Sequence, residues 1–124
     1  MKIAIVALLA LHGLIHAMGF AGAWGLAQLE GASRVPTNLI TARPDDPIVR
    51  VLALVWLLAL IAFLVAAYLL LVDSPAWRPV AVAAVVVSMV PVALWLRDAP
   101  MGAVANVLVL AAGVLAPRLE GVAT

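Results

Sequence analysis

Four long apolar segments constrain the fold of this 124-residue chain more than any other feature. They cover approximately residues 3–25, 47–72, 75–96 and 100–116. A helix needs roughly 20 apolar residues to cross the hydrocarbon core of a bilayer, because each residue adds about 1.5 Å. We therefore predict an all-α, polytopic transmembrane four-helix bundle that forms a single domain over residues 1–124, with both termini on the same side of the membrane.

The composition excludes several classes of protein. Hydrophobic residues make up 68% of the chain and charged residues 10%, so residues 26–46 are the only sizeable extramembrane segment and no soluble catalytic domain fits. The net charge of +1 comes from scattered basic and acidic residues, so the expected partner is the lipid bilayer and not nucleic acid. The absence of cysteine excludes thiolate metal sites and thiol nucleophiles.

Prolines mark the segment boundaries. Every segment but the first opens with a proline, whose missing N–H costs nothing in the first helical turn. Asp46 and Ser74 precede two of these prolines and can cap free backbone amides. Asp98 lies two residues before Pro100, where a carboxylate complements the start of a helix. Pro117 is expected to end the fourth helix.

The first segment contains LHGLIHAMGF, which places His12 and His16 where an ionisable side chain is expensive. At about 1.5 Å per residue, His12 lies roughly 14 Å and His16 roughly 20 Å below the surface near the N-terminus. Ser88 and Asn106 fall within one or two helical turns of the same depth. Because an isolated polar group in hydrocarbon costs several kcal/mol, we expect these four side chains to converge in a hydrogen-bonded layer inside the bundle.

Small residues accompany the histidines. Gly19 lies on the same helical stripe as His12 and His16, and Gly13 lies on the neighbouring stripe. Such residues allow two helix backbones to approach closely in a bilayer. We therefore assign structural roles to Gly13 and Gly19, and likewise to Gly102 and Asp98 around the start of the fourth helix.

The histidine pair admits two interpretations. In the structural one, neutral imidazoles bond to backbone carbonyls or to Asn106 and fix the register of the helices. In the functional one, His12 and His16 ligate a metal ion, with Asn106 or water completing the shell, or serve a haem, a quinone or a proton relay. No carboxylate lies within the HxxxH spacing, so the pattern does not indicate a zinc hydrolase. A bis-histidine haem would require oligomerisation.

Two motifs carry a family resemblance. LHGLIHAMGF together with DAPMGAVANVLVL at residues 98–110 resembles an uncharacterised family of small bacterial four-helix membrane proteins with HGLIHxxGF and DAxxGxxAN motifs. The resemblance implies the architecture and a shared polar site, but no activity. The chain departs from the pattern at Pro100 and Met101, where a basic and an aromatic residue are expected. The matching positions are His12, Gly13, His16, Gly19, Phe20, Asp98, Ala99, Gly102, Ala105 and Asn106.

We therefore expect a small integral protein of the bacterial inner membrane, acting as a binding or accessory subunit of a homo-oligomer or a larger membrane complex. His12, His16, Ser88 and Asn106 form its expected ligand site. The alternatives are a redox protein that binds haem, a metal ion or a quinone, and a small proton-coupled transporter. Enzymatic activity is less favoured, because the sequence offers no catalytic triad and no phosphate loop. Basic residues divide too evenly between the two sides to set the membrane orientation.

Overall fold

The structure is a computed structural model that describes residues 1–28, 30, 33–37 and 42–122, except the side chains of residues 114 and 116–122. This part of the chain contains helices and no strand, so the predicted all-α bundle is confirmed. The helices are α1 (Lys2–Ala23), α2 (Pro47–Leu71), α3 (Trp77–Leu94) and α4 (Pro100–Val122). The first three are long and apolar enough to cross a membrane, which supports an integral membrane protein. The apolar part of α4, Pro100–Gly113, is shorter.

Several helix ends differ from the sequence prediction by one or two residues, and the end of α4 lies at residue 122 where residue 116 was predicted. The third helix begins at Trp77, because the hydroxyl of Ser74 accepts a hydrogen bond from the backbone N–H of Ala76 (3.4 Å) and closes a turn first. The predicted stop at Pro117 is wrong, since α4 continues to Val122. A proline removes only its own backbone hydrogen bond, and helices of membrane proteins tolerate that loss.

The helices pack in sequence order, α1 along α2, α2 along α3 and α3 along α4, while α1 and α4 make few contacts. The ammonium group of Lys2 donates to the carboxylate of Asp73 (2.6 Å) and to the carbonyl of Leu71 (3.0 Å). These bonds join the start of α1 to the turn between α2 and α3, where Asp73 has a φ of 58°. We call this the terminal end of the bundle, and the opposite end, where residues 26–46 connect α1 to α2, the loop end.

Two apolar clusters fill the bundle, one at each end. The cluster at the terminal end consists of Ile5, Leu9, Phe63, Ala66, Ala67, Leu70, Trp77, Ala81, Ala84, Val85 and Val109. The cluster at the loop end consists of Ala23, Ala53, Trp56, Val92 and Trp95. Large apolar side chains such as Leu11, Val86 and Val107 face outward and are more than 60% exposed, as expected for helices that contact lipid.

Candidate functional site

Four polar side chains meet between the two apolar clusters, as the sequence analysis expected. His12, His16, Ser88 and Asn106 come from α1, α3 and α4, and each is at most 2% exposed. They form one continuous set of hydrogen bonds, which we call the polar layer. Their convergence satisfies polar groups that would otherwise be stranded among apolar side chains.

Two oxygens that can only accept, the backbone carbonyl of His12 and the amide oxygen of Asn106, set the directions of the hydrogen bonds in the polar layer. The carbonyl of His12 can only accept, so Nδ1 of His16 donates to it (2.8 Å). In a neutral imidazole, Nε2 of His16 is then an acceptor, and it accepts a hydrogen bond from the hydroxyl group of Ser88 (2.7 Å). The amide nitrogen of Asn106 donates to the oxygen of Ser88 (3.1 Å). The amide oxygen of Asn106 accepts from Nε2 of His12 (2.7 Å).

Both imidazoles are assigned as neutral because the polar layer contains no carboxylate to balance a positive charge. An unpaired charge in the hydrocarbon core costs several kcal/mol. The two histidines therefore hold opposite tautomers, His12 with its proton on Nε2 and His16 with its proton on Nδ1. The second N–H of Asn106 points to the sulfur of Met89 (3.2 Å), which agrees with the assigned orientation of the amide.

One acceptor atom of the polar layer, Nδ1 of His12, has no hydrogen-bond donor among the described residues. Because Nε2 of His12 carries the proton, Nδ1 of the same ring presents a lone pair, and this buried atom has no hydrogen-bond partner among the described residues. The indole N–H of Trp56 is a second buried polar atom without a partner in the described part of the chain. Buried polar groups are nearly always paired in native proteins, so these two atoms require an explanation.

Aromatic rings surround the histidines. The ring of His12 lies edge-on to Phe63, with 4.6 Å between centroids, and the ring of His16 lies edge-on to Trp56 at 5.3 Å. Trp56 in turn contacts Trp95, with 5.8 Å between centroids. Edge-to-face contacts of this kind are favourable for aromatic pairs and hold the rings in fixed positions.

Glycines on α1 make room for these rings. A Cβ atom on Gly19 would lie 2.6 Å from the indole of Trp56, and one on Gly13 would lie 3.0 Å from Cβ of Phe63. On α4, a Cβ atom on Gly102 would lie 3.0 Å from a methyl group of Val92. The predicted structural glycines therefore serve packing inside this chain.

A cavity of about 270 Å³ lies beside the polar layer, between α1 and α4 at the loop end. His12, His16 and Trp56 form its inner wall. Its rim includes Met18 of α1 and Met101 of α4, which are 53% and 70% exposed. The cavity is partly open between α1 and α4, which make few contacts with each other. The full lining is His12, Ile15, His16, Met18, Gly19, Gly22, Glu30, Ser33, Trp56, Val92, Trp95, Asp98, Ala99, Met101 and Gly102.

The outer end of the cavity is polar. The carboxylate of Asp98 accepts a hydrogen bond from the backbone N–H of Ser33 (2.6 Å). The indole of Trp95 donates to the carbonyl of Ser33 (3.0 Å), and Thr37 donates to the carbonyl of Leu94 (3.2 Å). Asp98 was expected to complement the start of α4, whereas its described hydrogen bond joins the connecting loop to the segment between α3 and α4.

The sequence indicated the four polar residues of the layer but gave no role to Trp56, Trp95, Met18 or Met101, which also line the cavity. Trp56 carried the clearest signal, because it lies deep inside an apolar segment while the other tryptophans lie near segment ends. Trp95, Met18 and Met101 gave no signal that separates them from ordinary membrane-facing residues. Which helices enclose a space depends on their packing angles, and one sequence does not specify those.

Three of the four imidazole nitrogens already take part in hydrogen bonds, which limits metal binding. A metal ion shared by His12 and His16 would have to replace the bond from Ser88 to His16 or the bond from His16 to the backbone. Among the residues that the structure describes, no three His, Cys, Asp or Glu side chains are grouped as metal ligands. The geometry fits a ligand bound by hydrogen bonds better than a metal ion or a haem held by both rings.

The fold and the site define a helical integral membrane protein with a buried polar layer beside a cavity. Comparisons with protein-family models, curated proteins and solved structures found no significant match. The family resemblance of the two sequence motifs stays a prediction.

Proposed function

We propose that this protein binds a small lipophilic molecule within the membrane, in the cavity between α1 and α4. Two residues that line this cavity, His12 and Trp56, carry the proposal, because Nδ1 of His12 and the indole nitrogen of Trp56 are buried without a partner among the described residues. A ligand that bonds to both would remove the cost of leaving them unpaired, about 1–3 kcal/mol for each buried group. Small-molecule sites typically combine apolar walls with a few such polar groups.

The volume and the opening of the cavity indicate the kind of ligand. About 270 Å³ is near the lower limit of small-molecule sites, roughly 300–1,000 Å³, so a single-ring headgroup is the natural occupant. The rim at Met18 and Met101 faces the region that lipid tails occupy. A lipophilic molecule can therefore reach the site from the bilayer, without crossing water.

Two observations favour binding over the other functions that the sequence left open. Gly13 and Gly19, which would suit contacts between subunits, are already used against Phe63 and Trp56 of the same chain. Below the polar layer, the terminal cluster packs apolar side chains such as Leu9, Phe63 and Leu70, which offer no donor or acceptor to a proton path. We propose a binding role in the bacterial inner membrane, alone or as a subunit of a homo-oligomer or a larger membrane complex.

The cavity tryptophans allow a direct test. Trp56 and Trp95 line the cavity, whereas Trp24 and Trp77 lie outside it. We expect 4-bromophenol or 4-bromoanisole, titrated into bilayer vesicles that contain the full chain, to quench tryptophan fluorescence saturably, because bromine quenches only on close contact. In a variant with W24F and W77F, the saturable fraction of the fluorescence should increase, since the remaining indoles are those of the cavity.

The W24F and W77F substitutions leave the cavity lining unchanged, so the wild-type chain and this variant form a matched pair. The proposed binding function would be contradicted if quenching rises linearly with the concentration of both probes and the quenched fraction of the fluorescence is equal in the two chains. Such a result would show that the probes quench by random collision from the bulk lipid.

A further inference from the structure

We propose that the molecule bound in the cavity carries an aromatic hydroxyl group, as a phenol or a hydroquinone does, and that this hydroxyl donates a hydrogen bond to Nδ1 of His12. The inference rests on the proposed binding function and adds the chemical class of the ligand.

The tautomer of His12 determines what the ligand must supply. Its Nε2 donates to Asn106, whose oxygen has no proton to give, so Nδ1 is a pure acceptor. An occupant that bonds to Nδ1 must therefore bring an O–H or N–H group. A carbonyl or ether oxygen at the same place would set two lone pairs against each other and leave the buried nitrogen unpaired.

Trp56 imposes the complementary requirement. Its indole nitrogen can only donate, so the ligand must also offer an acceptor oxygen. His12 and Trp56 line the same cavity of about 270 Å³, so the two requirements apply to one ligand. A hydroxyl oxygen meets both, because it donates one proton and keeps lone pairs to accept.

The walls of the cavity favour an aromatic ligand. Indole rings of Trp56 and Trp95, together with the imidazoles, present ring faces and edges on the inner side, while Val92 and Met18 are aliphatic or flexible. Planar rings pack against such walls in offset or edge-on arrangements with more contact than a branched aliphatic group achieves. The nearest charged groups, Glu30 and Asp98, are at the outer end and are acidic, so an anionic headgroup is disfavoured.

The acceptor on His12 and the donor on Trp56 also distinguish the redox forms of one ligand ring. A hydroquinone has hydroxyl groups that serve both His12 and Trp56, whereas the corresponding quinone has acceptor oxygens that serve only Trp56. The cavity is therefore expected to select the hydroxylated form. Selectivity by a site built to bond a hydroxyl group is much stronger than selectivity by shape alone.

The test compares three brominated rings of similar shape in bilayer vesicles that contain the full chain. 4-Bromophenol offers a donor and an acceptor, 4-bromoanisole only an acceptor, and 4-bromotoluene neither. Dissociation constants are expressed as mole fraction of the probe in lipid, which corrects for partitioning between water and bilayer. The dissociation constant of 4-bromophenol should be at least about tenfold lower than that of 4-bromoanisole, which corresponds to about 1.4 kcal/mol. The readout is saturable quenching of the cavity tryptophans.

The outcomes separate the two proposals. Saturable binding of the ether as tight as that of the phenol, or tighter, would overturn the hydroxyl inference while the proposed binding function stands. Saturation by none of the three probes would overturn the binding function itself.

A variant of the indole donor tests the second contact. In Trp56→Phe, with Trp95 as the fluorescent reporter, the advantage of 4-bromoanisole over 4-bromotoluene should disappear, because the donor to the ether oxygen is gone. The matched control is Trp77→Phe in the terminal cluster, where the ratio of the affinities of 4-bromoanisole and 4-bromotoluene should stay as in the wild type. An unchanged ratio in Trp56→Phe would contradict the assigned role of the indole nitrogen.

Discussion

Replacing Asn106 by leucine is expected to lower the free energy of unfolding by about 1–3 kcal/mol, the cost of leaving a buried polar group unpaired. Leucine has a similar shape but neither donor nor acceptor. It therefore leaves the Nε2–H of His12 without an acceptor and removes the hydrogen-bond donor to the hydroxyl group of Ser88. Water cannot replace these partners, because His12 and Ser88 are at most 2% exposed. A single hydrogen bond between membrane helices contributes about 0.6 kcal/mol on average. A loss near the upper end of the expected range, about 3 kcal/mol, therefore requires that the hydrogen bonds of the polar layer depend on one another.

The neighbouring position supplies a control. Val107→Leu also places a leucine on α4, but Val107 is 64% exposed, and we expect a change within about 0.5 kcal/mol. Equilibrium unfolding of the purified protein in bicelles measures both variants. Ser88→Ala should cost less in the Asn106→Leu background than in the wild type, because its partner is already lost. A destabilisation no greater than that of Val107→Leu, or additive effects of the two polar substitutions, would show that the layer is not a connected network.

Gly19→Ala should destabilise the protein by about 1–3 kcal/mol, as overpacking of a core typically does. The new methyl group would lie 2.6–2.8 Å from three ring carbons of Trp56. That indole is 5% exposed and lies between His16 and Trp95, so it has little room to retreat. The higher helix propensity of alanine, worth about 1 kcal/mol, is too small to reverse this steric cost at its upper range.

Gly113→Ala on α4 is the matched substitution, since its methyl group meets no atom of the described residues within 4 Å. It should be neutral or stabilising by up to about 1 kcal/mol. Shortening Trp56 to leucine in the Gly19→Ala background should recover part of the loss, because the clashing ring is removed. Equal thermal stability of Gly19→Ala and Gly113→Ala in the same detergent would contradict the close packing of α1 on Trp56.

The architecture and the polar layer were accessible from the sequence because simple rules govern both. The bilayer sets the length of an apolar segment, so the helices α1, α2 and α3 could be placed to within a few residues. The cost of burying His12 and Asn106 without partners indicated that they would meet, although they are far apart in the sequence.

The cavity was not accessible in the same way. It lies where α1 and α4 make few contacts, and the packing of helices depends on the fit of many side chains at once. Asp98 shows the limit for a single residue, since its position before Pro100 indicated a helix start while its carboxylate binds the backbone of Ser33, a contact across the connecting loop. The continuation of α4 beyond Pro117 was missed for a related reason, because proline ends helices less strictly in membrane proteins.

The tautomers of the two histidines test the central claim most directly. His12 and His16 are the only histidines of the chain, so ¹⁵N-histidine labelling and solid-state NMR in bilayers report on this site alone. We expect two neutral rings of opposite tautomer, with the proton of His12 on Nε2 and that of His16 on Nδ1, and a shift of the bare Nδ1 of His12 when 4-bromophenol is added. Identical tautomers, a doubly protonated ring, or a proton on Nδ1 of His12 would contradict the free acceptor from which the proposed ligand chemistry follows.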